Sequence, residues 1–523
     1  MTQPSSPSAT NDPNGQERPA QSGQPSGTAS TAATTTTNKW VVFAIIAIGV
    51  FMTTVDSSIV NISLPTIATF FGVPLSGAVE WVVIVYLVVI AATLLTIGRL
   101  ADMTGRKAIW MTGLIIFTLG SALSGASPSL GFLIAARGFQ AVGGSLLFAV
   151  SAAMLTGAFP ANERGRVLGL NALVVAMGVS VGPTLGGFIT QYLTWRWIFY
   201  VNVPLGIIGV IATLRLLHEA PHAGRGRFDP AGAALLTIGL ASITLGLSFG
   251  QEWGWSSGQL IASIVIGAVA LVALVIVERI VRNPIVQLSL FRNRVFASAN
   301  LSLTLSFLAL FAVSFMMPFY LEQLRGFSLI ESGLLLTPLP LTIAVFAPFS
   351  GRLADRIGTR WLAATGLAIA CLGLVFISQL QANSSVGDII WPLVVTGFGQ
   401  ALFQSPNNSA LMGSAPGAAQ GVASGFLATG RVIGQSTSVA LAGAIFTSLG
   451  GALAGAQLER FRTTGLPRSF PPGFEAHIQA LPATFIGAFH ATFLACAAIA
   501  VIGVFASLVR GKEEIAAARA RRV

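Results

Sequence analysis

The chain has 523 residues, of which 54% are hydrophobic and only 9% are charged. A soluble domain carries about 25% charged residues to cover its surface, so this composition excludes a water-exposed globular enzyme and fits a protein whose solvent is largely a bilayer. The formal charge of +11 would suit a nucleic-acid binder, but the placement of the basic residues assigns it to membrane topology instead.

In chain order, residues 1–38 are rich in Ser, Thr, Pro, Gln and Gly. They cannot bury enough apolar surface to order themselves, and they lack the apolar stretch of a signal peptide, so they are expected to form a disordered cytoplasmic tail. Apolar runs then recur at 40–62, 79–99, 108–126, 131–155, 167–190, 196–217, 230–250, 259–278, 296–320, 330–350, 361–380, 388–411, 421–446 and 485–509. Each has roughly the 20 residues that cross about 30 Å of hydrocarbon at 1.5 Å per residue. An even number of spans puts both termini on one side. With the N-terminus inside, 22 Lys and Arg residues fall on the cytoplasmic side, Arg510 among them, against five outside (Arg196, Arg325, Arg460, Arg462 and Arg468). That asymmetry sets the orientation and predicts cytoplasmic N- and C-termini. The outer segment 447–484 carries Pro467, Pro471, Pro472 and Pro482, which argue against a hidden span; it is either a partly ordered cap or a plain connector. Residues 511–523 are a short basic cytoplasmic tail.

The segment Gly98–Lys107 (GRLADMTGRK) recurs as Gly351–Arg360 (GRLADRIGTR), with six of ten positions identical. Each copy follows the second span of a six-span set. The repeat therefore defines an N-terminal half over 39–217 and a C-terminal half over 284–510, with 218–283 a linker holding two inserted spans. Gly98, Gly105, Gly351 and Gly358 permit tight turning and close helix approach. Asp102 is placed near the start of span 3, where the helix dipole favours an anion, with Arg99, Arg106 and Lys107 able to pair with it or with lipid phosphates. Asp355 is its counterpart. The cluster reads as a latch that holds one state of a gate, or as a plain topology anchor.

These features resemble the major facilitator superfamily, and within it the fourteen-span drug:proton antiporters (EmrB/QacA-like). The loop Gly98–Lys107 resembles the superfamily's signature between spans 2 and 3. Val55–Pro65 (VDSSIVNISLP), Trp195–Gly206 (WRWIFYVNVPLG) and Ser405–Met412 (SPNNSALM) resemble the family's patterns in spans 1, 6 and 12. In span 5, Gly169, Gly178, Gly182, Pro183, Gly186 and Gly187 match the superfamily's antiporter motif. The residues alone describe a flat helix face with a proline bend; the resemblance implies exchange rather than uptake. Met103, Thr359 and Gln420 stand where the family is usually basic, which weakens the latch more in the C-terminal half. Glu80 and Glu322 stand where a neutral residue is expected. The resemblance implies an all-α membrane protein with two six-helix halves plus two inserted spans, working by proton-coupled efflux of small lipophilic compounds across a bacterial inner membrane.

Charges inside a bilayer cost roughly 2.5–3.5 kcal/mol on insertion scales, so each needs a function. Asp56 lies roughly 24 Å from the cytoplasmic start of span 1, and Arg137 roughly 9 Å from the outer start of span 4, which puts them at similar depth in a core of about 30 Å. Arg137 opens Arg137–Gly144 (RGFQAVGG), which resembles the superfamily's span-4 motif tied to proton coupling. A carboxylate binds a proton less readily beside an arginine and more readily once that arginine leaves, so competition at Asp56 would supply a switch. The alternative is a fixed pair that ties spans 1 and 4 together. Arg431 is placed mid-membrane in span 13, either facing a central cavity or bracing the C-terminal half. Gln140, Gln400, Gln404, Asn407 and Asn408 are candidate cavity residues, as are Glu80, Glu322 and Tyr86; Phe403 is a candidate aromatic wall.

The remaining features are plain. Cys371 and Cys496 read as buried apolar side chains, and the four histidines show no metal spacing. There is no phosphate-binding Gly-x-x-x-x-Gly-Lys-Ser/Thr loop, so no cofactor is expected and the proton gradient is the energy source. A metabolite importer remains the rival; an enzyme or sensor is disfavoured for want of a nucleophile–base set or a soluble domain. The charge of the substrate and the use of a periplasmic adaptor stay open.

Overall fold

A computed structural model describes residues 37–73, 79, 81–218, 229–254, 256–281, 287–464 and 474–510. The two expected tails, Glu80 and part of the 447–484 segment lie outside the described residues. Among those described, every regular element is helical.

The first half comprises α1 (Lys39–Phe71), α2 (Trp81–Thr104), α3 (Arg106–Gly125), α4 (Leu130–Ala158), α5 (Arg164–Tyr192) and a sixth span broken into α6 (Trp197–Tyr200) and α7 (Asn202–Leu216). The inserted pair is α8 (Pro230–Trp253) and α9 (Gly258–Ile280). The second half runs through α10 (Arg294–Phe319), a tenth span made of α11 (Leu329–Leu336) and α12 (Pro338–Ile357), then α13 (Arg360–Ser378), α14 (Val386–Ser414), α15 (Gln420–Ser448), α16 (Gly451–Thr464) and α17 (Phe474–Leu508). Among the described residues, thirteen spans are long and apolar enough on their own; α15 makes a fourteenth together with α16, which turns from it by 75°. The chain is thus an all-α multi-pass membrane protein with two six-span halves and two inserted spans.

Local chemistry sets the helix ends. Ser129 accepts from the Phe132 N–H to cap α4, Asp229 accepts from the Ala231 and Gly232 N–H groups ahead of Pro230 in α8, and Ser385 and Asp388 form a reciprocal capping box on α14. The outer face of α9 shows why the bundle needs lipid: Ile261, Val265, Val269, Val272, Ile276 and Ile280 are all exposed, an apolar stripe that water would penalise.

The 447–484 segment departs from the expectation of a loop. Residues 451–464 are helical, and α17 begins at Phe474 with Pro482 inside it. Pro482 is the ninth residue of α17, so the helix continues past it with one intrahelical hydrogen bond forfeited. Arg462 ties α16 to the π-type turn Tyr320–Leu324 at the end of α10 by donating to the carbonyls of Glu322 and Leu324.

The two halves meet along two matched crossings, α2 with α15 and α5 with α12. At one, a Cβ on Gly98 would strike the backbone carbonyl of Gly421, and one on Gly421 that of Gly98; at the other, Gly351 and Gly165 stand in the same relation. Only glycine permits this approach, so this end of the bundle is sealed by backbone against backbone. Gly178 and Gly182 press α5 onto Thr54 and Ser58 of α1, while Gly187 faces open space. Gly98→Val should therefore lower the thermal unfolding midpoint in detergent by the equivalent of about 1–3 kcal/mol of overpacking. Gly187→Ala should raise it slightly, by up to about 1 kcal/mol of helix propensity.

Candidate functional site

Inside the first half, Asp56 and Arg137 form an ion pair, with Arg137 Nη1 2.7 Å from Asp56 Oδ2. Neither is more than 1% exposed. The other carboxylate oxygen, Oδ1, accepts from Gln140 Nε2 at 2.8 Å and from Asn202 Nδ2 at 2.9 Å. Arg137 also donates to Gln140 Oε1 and, through Nε, to the Val82 carbonyl. Ser121 closes the ring: its hydroxyl accepts from Gln140 and Asn202 and donates to the Phe199 carbonyl. The guanidinium lies 4.3 Å from the centroid of the Tyr86 ring and 5.6 Å from that of Phe199, within cation–π range.

Five spans thus contribute: α1 brings Asp56, α2 Tyr86, α3 Ser121, α4 Arg137 with Gln140 one turn on, and the broken sixth span Phe199 and Asn202. The depth argument from the sequence put Asp56 and Arg137 at one level, and the structure brings them together. Asn202 and Ser121 were missed. Asn202 had a signal, a lone amide in an apolar span; a serine such as Ser121, which commonly bonds its own helix backbone, had none. Gln140 and Tyr86, expected along a cavity, instead belong to this closed network. Tyr86 Oη and Asn202 Oδ1 are buried without a hydrogen-bond partner.

A second set of carboxylates sits at the sealed end. Asp102 does not serve the start of α3. Its oxygens accept from the backbone N–H groups of Gly421 and Val422 at 2.9 and 3.1 Å, the first turn of α15 in the opposite half. Asp355 accepts in the same register from Gly165 and Arg166 of α5, at 2.8 and 3.0 Å. A helix N-terminus offers free N–H groups and a positive dipole end, so each repeat loop caps a helix of the other half. Both capped helices follow Pro-x-x-x-x-Gly, at Pro160–Gly165 and Pro416–Gly421, a legible repeat that sequence reasoning passed over. Arg106 pairs with Asp102 at 3.4 Å and also donates to the Ala153 and Gly417 carbonyls and to Gln420. Its counterpart in the second copy is Thr359, whose hydroxyl accepts from Arg510 at 3.2 Å. Arg510, grouped by sequence with the water-facing basic residues, is fully buried. It also donates to Asn407, which in turn bonds Ser302 and the Ala299 carbonyl. Asn407 therefore staples α10, α14 and the end of α17.

The other candidates disperse. Gln404 and Asn408 are buried on α14, the latter with an unpartnered Oδ1, and Gln400 is partly accessible. Phe403 is packed in the core of the second half, and Glu322 lies in the π-type turn beside Arg462. Arg431 projects from α15 between Phe148 of α4 and Phe307 of α10.

Removing one partner of a buried pair leaves an uncompensated charge, at a cost of about 3–5 kcal/mol. Asp56→Ala should accordingly lower the unfolding midpoint steeply. The double variant Asp56→Asn with Arg137→Gln removes both charges and should recover most of the loss, which paired thermal melts in detergent would measure.

The family model described as Major Facilitator Superfamily matches residues 46–439 and 341–522. The riboflavin transporter RibZ of Clostridioides difficile is 36% identical over 414 residues, covering 78% of this chain and 88% of that protein. The multidrug resistance protein Stp of Mycobacterium tuberculosis is 32% identical over 414 residues, covering 79% and 77%. A crystal structure of the human organic anion transporter MFSD10 shares the fold, with a TM-score of 0.62 at 14% identity, covering 90% of this chain and 99% of that one. With two six-span halves, matched repeat loops and these relatives, the chain belongs to the major facilitator superfamily and is a membrane transporter, not an enzyme.

Proposed function

We propose that this transporter is a proton-coupled exporter of small lipophilic compounds, of the fourteen-span drug:proton antiporter type, set in a bacterial inner membrane with both termini in the cytoplasm. The observation that carries the reading is the Asp56 network: one buried carboxylate whose charge is held by one guanidinium and two amides. Every bond that Asp56 makes is made as an acceptor. Protonation would cancel the attraction to Arg137 and leave the carboxyl a donor among donors, so the network would have to rearrange. A proton arriving from one side and a compound arriving from the other can thereby exclude each other.

The basic end of the bundle supports the sidedness. It is the end sealed by Gly98 against Gly421 and Gly351 against Gly165, with both helix N-termini capped across the halves. Under this orientation the conformer is closed to the cytoplasm, and rocking of the halves would open it by releasing Asp102 and Asp355 from the helices they cap. One charge moved through 100 mV supplies about 2.3 kcal/mol, enough for a roughly 50-fold gradient of an exported compound. The name of Stp supports the multidrug reading. The name of RibZ favours the rival, a transporter of one metabolite.

The test uses everted membrane vesicles with an imposed inward-acid gradient, a pH-sensitive dye and a panel of cationic, neutral and anionic drugs. Wild-type vesicles should release protons on drug addition, and vesicles holding Asp56→Asn should not. Release that persists in the variant would remove Asp56 from the coupling path; no release with any compound would leave the single-metabolite reading.

A further inference from the structure

Among the described residues, Arg137 and Arg431 lie within the spans at membrane depth, and they are treated differently. Arg137 is neutralised by Asp56 at 2.7 Å. Arg431 has no carboxylate and no hydrogen-bond acceptor among the described residues. Its Nε is shielded from solvent without a partner, and its guanidinium rests between two rings, 5.8 Å from the centroid of Phe148 and 5.7 Å from that of Phe307. Aromatic faces attract a cation but do not cancel its charge. Asp56 and Arg137 offset each other, whereas the charge of Arg431 is not offset by a carboxylate among the described residues.

Its position is equally specific. Phe148 belongs to the first half and Phe307 to the second, so Arg431 sits where the halves face each other. Residues 420–430 of α15 are buried, whereas Arg431 and several positions after it, 433 and 435–437, are partly accessible. Arg431 therefore marks the point, about 15 Å along α15 from the sealed crossing at Gly421, where the helix passes from a fully buried stretch to a partly accessible one. The orphan hydroxyl of Tyr86 lies against Gly144, one turn before Phe148. A lipophilic cation finds no free carboxylate here, because both oxygens of Asp56 are already engaged.

We propose that Arg431 is the docking residue of the cargo site, and that this place between the halves takes aromatic compounds bearing one anionic group, the anion on the guanidinium and the ring packed beside the Phe148 and Phe307 side chains rather than in the gap the guanidinium fills. The proposal rests on the export reading for the word cargo, but its geometry concerns binding alone. A charge-assisted bond in a water-poor cleft is stronger than a neutral one, so an anion should outbind its neutral isostere by about tenfold or more.

The test is equilibrium binding to the purified full-length chain in lipid nanodiscs at neutral pH, with empty nanodiscs subtracted. Three fluorescent probes share one ring system: pyrene-1-carboxylate, pyrene-1-carboxamide and pyrenylmethylammonium. Wild type should prefer the carboxylate over the amide by about tenfold and bind the ammonium compound weakest. Arg431→Gln should bring the carboxylate down to the level of the amide, and Arg431→Lys should keep part of the preference. Should Arg431→Gln fail to fold, the wild-type order decides by itself, and Phe307→Leu should weaken carboxylate and amide together by removing a ring wall. Equal binding of carboxylate and amide to wild type, or a preference that survives Arg431→Gln, would overturn the proposal. Because no proton flux is read, anion-selective binding without drug-driven proton release would overturn the export reading and leave this one standing; the reverse result would do the opposite.

Discussion

A carboxylate and a guanidinium buried together in a membrane bundle constrain everything around them. Their desolvation is offset only when geometry and further hydrogen bonds are complete, and here five spans are recruited to complete them. Asp56 needs Gln140 and Asn202 for its second oxygen, and those amides need Ser121 to hold their remaining N–H groups. Tyr86 and Phe199 place ring faces near the guanidinium. The first half is consequently organised around one ion pair, while in the second half a buried arginine at the sealed end, Arg510, donates to Asn407 and Thr359.

The pair also connects to the gate through packing. α1, which carries Asp56, is pressed by Gly178 and Gly182 of α5. The same α5 crosses α12 at Gly165 and Gly351 and is capped there by Asp355. A shift of α1 that follows release of Asp56 therefore bears on the helix whose N-terminus the repeat loop of the opposite half holds. α4 provides a second connection, with Arg137 in the network and Phe148 three turns further on beside Arg431. In the proposed export cycle, proton site and cargo site would communicate through these two helices.

Much of this was legible in the sequence, and the limits have physical causes. Hydropathy and repeated loops located the spans and the halves because apolar length and basic flanks are one-dimensional properties. Counting rise per residue matched Asp56 with Arg137 because both helices run nearly across the same slab. Partners across the bundle were not legible: helical periodicity reports that Asp102 ends a helix, not that the N–H groups it binds lie 319 residues away. Arg510 looked like a topology anchor because a basic residue at a helix end has the same pattern whether it faces water or Asn407. The helix α16 was hidden by Pro467, Pro471 and Pro472, which punctuate the segment after it, and α17 carries Pro482 in its interior at the loss of one backbone hydrogen bond.

The central claim is that Asp56 is the site where proton and cargo exclude each other. Infrared difference spectroscopy of the purified protein in lipid tests it directly, by following the carbonyl stretch of a protonated carboxyl as pH falls and then as a compound active in the vesicle assay is added. The account predicts a band that appears on acidification, is absent in Asp56→Asn, and diminishes when the compound binds. A band that is unchanged in Asp56→Asn, or that does not respond to the compound, would contradict it.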